Sequence, residues 1–227
     1  LSNDESKGMS GMDYSFARSQ MVETQVRPND VTHRGLNAML RAIPREVFVP
    51  KSSRELAYAE VEVETLSGRW LWRIRELAKL IQALDPQANN CALVVGCGEG
   101  YSVAVLAGLV DTVVGIESTA GMVIQCEKNL VLAEASNTAI VEAPLAAGLP
   151  KQAPFDIILI GGAVEEVPQA LLDQLSEGGR LGAIIRQGRS SRAVLFTKSN
   201  GMIASRVLFD ASVPTLPGFE KARSFEF

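Results

Sequence analysis

From residue 70 onward the apolar positions of this chain fall into two alternating periods. Over 70–84, Leu71, Ile74, Leu77, Ala78, Ile81 and Leu84 share one face at helical spacing, which predicts a helix lying on a sheet, with Pro86 just past its end. Short apolar runs and helical patterns then take turns. Strands are expected at 91–95, 112–117, 138–142, 155–160 and 180–186, and helices at 101–109, 119–134 and 166–176. This order predicts an α/β fold, a doubly wound and mostly parallel sheet with helices on both faces. Segments 192–198 and 202–211, parted by Asn200-Gly201, predict a C-terminal antiparallel hairpin. Upstream, helices are expected at 13–25 and 32–42 around an Arg27-Pro28-Asn29-Asp30 break, with Thr32 as N-cap. Glu60, Glu62 and Glu64 alternate with Val61 and Val63, as in a half-exposed strand. The chain divides into a polar leader at 1–11, an N-terminal helical segment at 12–85 and an α/β domain at 86–227.

The candidate chemistry sits where the first central strand meets its helix. Ala92 to Val95 run into Gly96-Cys97-Gly98-Glu99-Gly100-Tyr101, and the next strand, Val113-Val114-Gly115-Ile116, ends on Glu117. Glycines serve where the backbone must adopt positive φ or lie against a ligand. A helix start adds free N–H groups, and a carboxylate at the end of the neighbouring strand can accept both hydroxyls of a ribose. These parts predict a nucleoside site. The spacing is G-x-G-x-G, with Tyr101 where dinucleotide enzymes place a helix-packing glycine, so a dehydrogenase is disfavoured.

Composition removes other classes. The chain has 227 residues, 47% apolar, with a net charge of −4, which leaves no general basic face for nucleic acid. No apolar run reaches membrane-spanning length, and no secretory apolar region opens the chain. Three cysteines, Cys91, Cys97 and Cys126, lack metal-type spacing and read as free thiols in a reducing cytoplasm. His33 is the only histidine and reads as a surface residue near a helix start; no metal site is expected.

Several blocks resemble the protein-L-isoaspartate O-methyltransferases, a family of Rossmann-like S-adenosylmethionine (SAM)-dependent methyltransferases. They are 17–27 (Ala-Arg-Ser-Gln-Met-Val-Glu-Thr-Gln-Val-Arg), Pro44-Arg45-Glu46-Val47-Phe48-Val49-Pro50, Ala57-Tyr58, Ala153-Pro154-Phe155-Asp156 and the stretch 169–181. The resemblance implies a SAM site formed by Gly96, Cys97, Gly98, Gly100, Tyr101, Glu117, Ser118 and Leu145. It also implies methyl transfer to a carboxylate, with no partner of nucleic-acid or membrane type. The acceptor and the oligomeric state are left open.

Three departures bear on activity. Where the family carries a G-Q-T-I-S type segment on the substrate side, this chain reads Gly68-Arg69-Trp70-Leu71-Trp72. Trp70 and Trp72 replace small hydroxyl donors, which makes isoaspartyl turnover doubtful; Ser67 is a conceivable substitute. Val94 stands where many members have a carboxylate, and Ala143-Pro144 where an aspartate meets the adenine, so weaker SAM binding is expected, with Glu142 as an improvised partner. Arg69, Arg73 and Arg75 beside the indoles suggest capture of an acidic or planar ligand. Two readings follow: an O-methyltransferase, or a non-catalytic binding or interaction module on the same fold.

Overall fold

The computed structural model describes residues 13–66 and 68–219; the leader at 1–11 and Ser67 lie outside the described residues. A seven-stranded sheet forms the centre, with strand order β5-β4-β3-β6-β7-β8-β9. Its strands are β3 (Cys91–Val95), β4 (Thr112–Glu117), β5 (Thr138–Glu142), β6 (Phe155–Val164), β7 (Leu175–Gln187), β8 (Ser190–Ser199) and β9 (Met202–Asp210). Pairs from β5 through β7 are parallel, while β7–β8 and β8–β9 are antiparallel. This is the mostly parallel, doubly wound sheet with a closing hairpin that the alternation predicted. Asn200 and Gly201 both take positive φ at the hairpin tip, as a twist-matched two-residue turn requires.

Because β3 is flanked by β4 on one side and β6 on the other, the chain changes direction across the sheet there, and ligands bind at the carboxyl ends beside such a switch. Helices α4 (Tyr101–Ala107) and α5 (Ala120–Leu132) follow β3 and β4, the second capped by the Thr119 hydroxyl. Helix α3 (Ile74–Leu84) buries Ile74, Leu77, Ala78, Leu80, Ile81 and Leu84. Each of the leucine and isoleucine side chains among them contributes about 1.5–3 kcal/mol when fully buried. Asp85, left-handed at φ 47°, ends the helix before Pro86.

The N-terminal segment adds α1 (Tyr14–Met21), capped by Asp13, and α2 (Arg34–Ala42). Met21, Leu36 and Phe48 from it share one apolar core with Val94 of β3 and Leu77 of α3, so segments 12–85 and 86–227 meet in a common interior.

Four local expectations are corrected. Helix α3 begins at Ile74; residues 69–71 instead form β2 (Arg69–Leu71), paired antiparallel with β1 (Val63–Leu66). The apolar positions of 70–84 fit a helix, but the alternation of buried Arg69, half-buried Trp70 and buried Leu71 is that of a strand, and a partner strand decided the matter. The same pairing puts β1 at 63–66 and not across 60–64. Helix α6 spans only Gln169–Asp173, because Leu175 already enters β7. The N-cap of α2 is His33, whose Nδ1 accepts from the Leu36 N–H at 3.0 Å.

Candidate functional site: the glycine turn, Glu117 and Arg69

Gly96, Gly98 and Gly100 all have positive φ, which bends the chain from β3 into α4 within five residues. Register places Val95 opposite Ile116, so Glu117 leaves β4 level with this turn. The Glu117 side chain is fully buried and turns into the loop: Oε1 accepts from the Gly98 N–H at 2.7 Å, and Oε2 from the Ser118 N–H at 3.0 Å. Glycine turn and carboxylate therefore meet in one crevice, as the strand–turn–helix–strand order implied.

A third group completes the carboxylate's shell. Arg69 of β2, 4% exposed, donates from Nε to Oε1 at 2.7 Å and from Nη2 to Oε2 at 2.8 Å. Nη2 also reaches the Ser118 hydroxyl at 3.2 Å, and Nη1 the Gly68 carbonyl at 3.2 Å. This is a buried fork-to-fork ion pair, the strongest arrangement open to these two side chains. The expectation that the arginines await an acidic ligand is corrected here. Arg69 is engaged by Glu117, while Arg73 and Arg75 pair with Glu76, and Arg73 also with Glu62.

The space that remains is small. A cavity of about 40 Å³ lies between the loop and the β1–β2 hairpin, lined by Gly96, Cys97, Gly98, Glu99, Tyr101, Arg69, Trp70 and Trp72 among others. Sites for drug-sized ligands run from about 300 to 1,000 Å³. The segment after β9 lies against the glycine turn without lining the cavity. There the Ala163 N–H donates to the Pro214 carbonyl at 2.9 Å and the Leu216 N–H to the Ala163 carbonyl at 2.8 Å. Leu216 is thereby seated so close to Gly96 and Gly162 that a Cβ on either would lie within 3 Å of it.

The other expected residues are dispersed. Trp72 is buried and Trp70 half-buried, both on the cavity wall. Arg73 does not line the cavity; its Nη2 donates to the Ser212 carbonyl at 2.9 Å, tying the hairpin base to the C-terminal segment. Leu145 is packed with Ile116 and Phe155 in the second apolar cluster. Glu142, opposite Glu117 in register, is solvent-exposed. The Tyr101 ring packs edge-on against Phe48 at 5.5 Å, with the Arg45 guanidinium over its face at 4.7 Å. Burial pushes its phenol upward, and Arg45 offsets part of that shift. Cys97 faces Cys126, sulfur to sulfur, at 3.8 Å; that hydrogen-bonded contact and then burial push the Cys97 thiol well up. Burial also raises the half-buried Glu99 carboxyl, against hydrogen bonds from Asn129 and Gln125 that lower it.

Sequence reasoning missed Arg45 and Leu216. Arg45, 1% exposed, donates to the carbonyls of Ala57 and Trp72 and so props the hairpin. Its place within the Pro44–Pro50 block was the available signal. Leu216 carried none, since a leucine among prolines near a chain's end gives no periodicity.

A glycine turn beside a switch point, faced by a carboxylate from the adjacent strand, defines the nucleoside-binding edge of a SAM-dependent methyltransferase fold. Residues 17–215 match the protein-L-isoaspartate(D-aspartate) O-methyltransferase family, and the chain belongs to it. It is 31% identical over 186 residues to a protein-L-isoaspartate O-methyltransferase of Methanoculleus marisnigri, covering 82% of this chain and 84% of the relative. To the Opitutus terrae protein of that name it is 34% identical over 185 residues, covering 81% and 79%. The fold superposes on a Plasmodium falciparum protein-L-isoaspartate O-methyltransferase crystallised with S-adenosyl-L-homocysteine (SAH), with TM-score 0.77, 20% identity and coverage of 88% and 98%. Among the described residues, no helix is long and apolar enough to cross a membrane.

Proposed function

We propose that this chain transfers a methyl group from SAM to a carboxylate acceptor, with Glu117 and the Gly96–Gly100 turn holding the nucleoside end. The observation that carries this reading is the meeting of Glu117 with the Gly98 N–H in a chain of this family. The donor set fits the cofactor in kind: a carboxylate for ribose hydroxyls and a glycine turn for close approach. Bound SAM would supply an electrophilic methyl group on a sulfonium. The acceptor carboxylate is ionised at neutral pH and needs no base, so the protein's contribution is alignment and exclusion of water.

The wall formed by Trp70 and Trp72 bears on the acceptor. Indoles offer bulk and a single N–H donor where a small hydroxyl would position a peptide carboxylate. Isoaspartyl peptides are therefore expected to be poor acceptors, and a carboxylate on a smaller or planar molecule a better one. Family membership weighs against a non-catalytic module. A cytoplasmic location and the absence of a nucleic-acid partner belong to this proposal and rest on the free thiols and the net charge of −4.

The test is transfer of labelled methyl from SAM to an isoaspartyl peptide, with an active family member as control. Turnover at least roughly a hundredfold below the control is expected if the indoles displace the acceptor by about 1 Å or more. Turnover equal to the control would overturn the acceptor reading. No transfer to any carboxylate would overturn the function.

A further inference from the structure

The Arg69–Glu117 pair has a consequence for how the nucleoside site is controlled, resting on the function proposed above. A carboxylate has about four acceptor positions. At Glu117 all four are filled: two by the backbone N–H groups of Gly98 and Ser118, and two by the Arg69 fork. The backbone donors are fixed by the turn itself. Two ribose hydroxyls can donate to this carboxylate only in the places the guanidinium uses, and the fork has the same form as a diol, two adjacent donors aimed at two oxygens.

We propose that Arg69 is a built-in competitor for the cofactor site: the nucleoside binds only when the β1–β2 hairpin withdraws this side chain from Glu117. Three further observations agree. The Arg69 stem lies over the loop, its Cβ 3.5 Å from where a Cβ on Gly98 would stand, so the side chain fills space as well as acceptor positions. Among the described residues the hairpin is a separate two-stranded sheet with no strand pairing to the central one, and moving it breaks no described ladder. Its turn residue Gly68, at φ 69°, is seated against Pro217, and Arg73 at its base is bonded to Ser212, so withdrawal is coupled to the C-terminal segment that also places Leu216 over Gly96. The measured affinity is then the intrinsic affinity reduced by the fraction of molecules with Arg69 displaced.

The experiment is calorimetric titration of SAH into the wild-type chain, Arg69→Ala and Glu117→Gln, with thermal melts of each to confirm folding. Arg69→Ala should bind at least roughly tenfold more tightly than wild type, and SAH should raise its melting temperature more. Arg69→Lys, which keeps a cation but loses the fork, should fall between them and serves as the read-out if the alanine variant does not fold. Glu117→Gln should bind least. A gain below tenfold for the alanine variant, or, where that variant does not fold, no gain for the lysine variant, overturns the proposal. If wild type and Arg69 variants bind equally and Glu117→Gln does not, the competitor idea fails while the cofactor reading stands. If none of them binds, both fail.

Discussion

The floor and the wall of this site are built by different means. The floor is local: β3, a glycine turn, α4 and the end of β4 lie within 91–117, and each part follows from its own residues. The wall is assembled from distance, with Arg69 reaching Glu117 across 48 positions and Arg73 reaching Ser212 across 139. The floor has the form expected of its family, whereas the wall carries this chain's own chemistry. Much of this crevice is thus set by residues outside the recognisable motif.

The largest effect should come from cutting the two apart at their ion pair. Glu117→Ala leaves the Arg69 guanidinium buried without its partner, which costs about 3–5 kcal/mol. Replacing both, as Arg69→Met with Glu117→Leu, removes charge and desolvation together and should cost less than the single change. Urea denaturation of the wild type, Glu117→Ala, the singles Arg69→Met and Glu117→Leu, and the double measures this. A double variant at the sum of its singles would show that the wall and floor are energetically independent.

A second cut removes the leucine that the C-terminal segment sets against the glycine turn. Leu216 is 1% exposed and packs on Gly96 and Gly162, so Leu216→Ala should cost roughly 2–5 kcal/mol, less if the segment collapses onto the loop. The same melts read it. A loss below about 0.5 kcal/mol, the range of ordinary surface changes, would mean that the C-terminal segment does not brace the glycine turn.

Legibility in the sequence follows the same division. The sheet, its hairpin and the Glu117–Gly98 meeting were all readable, because strand period, glycine turns and parallel register are properties of adjacent residues. The site's closure was not. Gly68-Arg69-Trp70-Leu71-Trp72 has the pattern of a helix start and of a surface for outside ligands, since nothing within 66–84 says that a carboxylate at 117 will claim Arg69. Periodicity also favoured a helix there, and pairing with Val63–Leu66 outweighed it. Leu216 shows the limit most plainly: the Ala163 carbonyl seats it against Gly96 and Gly162, residues far from it in the chain.

The smallest effect belongs to the floor itself. In the folded chain the contact with Cys126, and then burial, holds the proton on Cys97, whereas an unfolded thiol titrates near about pH 8.5. Because the folded value is the higher one, this contribution is intact below the unfolded value and is lost as pH rises through the folded one. Between about pH 8.5 and 10, stability should therefore decline by at most about 1.4 kcal/mol per pH unit for this thiol. Cys97→Ala should flatten that decline in part. Cys91, whose thiol burial also raises, keeps its share, and above about pH 10 the buried phenols of Tyr58 and Tyr101 add theirs. Stability from urea melts at steps between pH 7 and 10 decides it. Parallel curves for wild type and variant would show that Cys97 is solvated in solution. Arg69→Ala extends the test to the wall: if withdrawing the arginine admits water to the loop, its alkaline decline should resemble that of Cys97→Ala, and if the wild-type slope persists, the hairpin does not shield the floor.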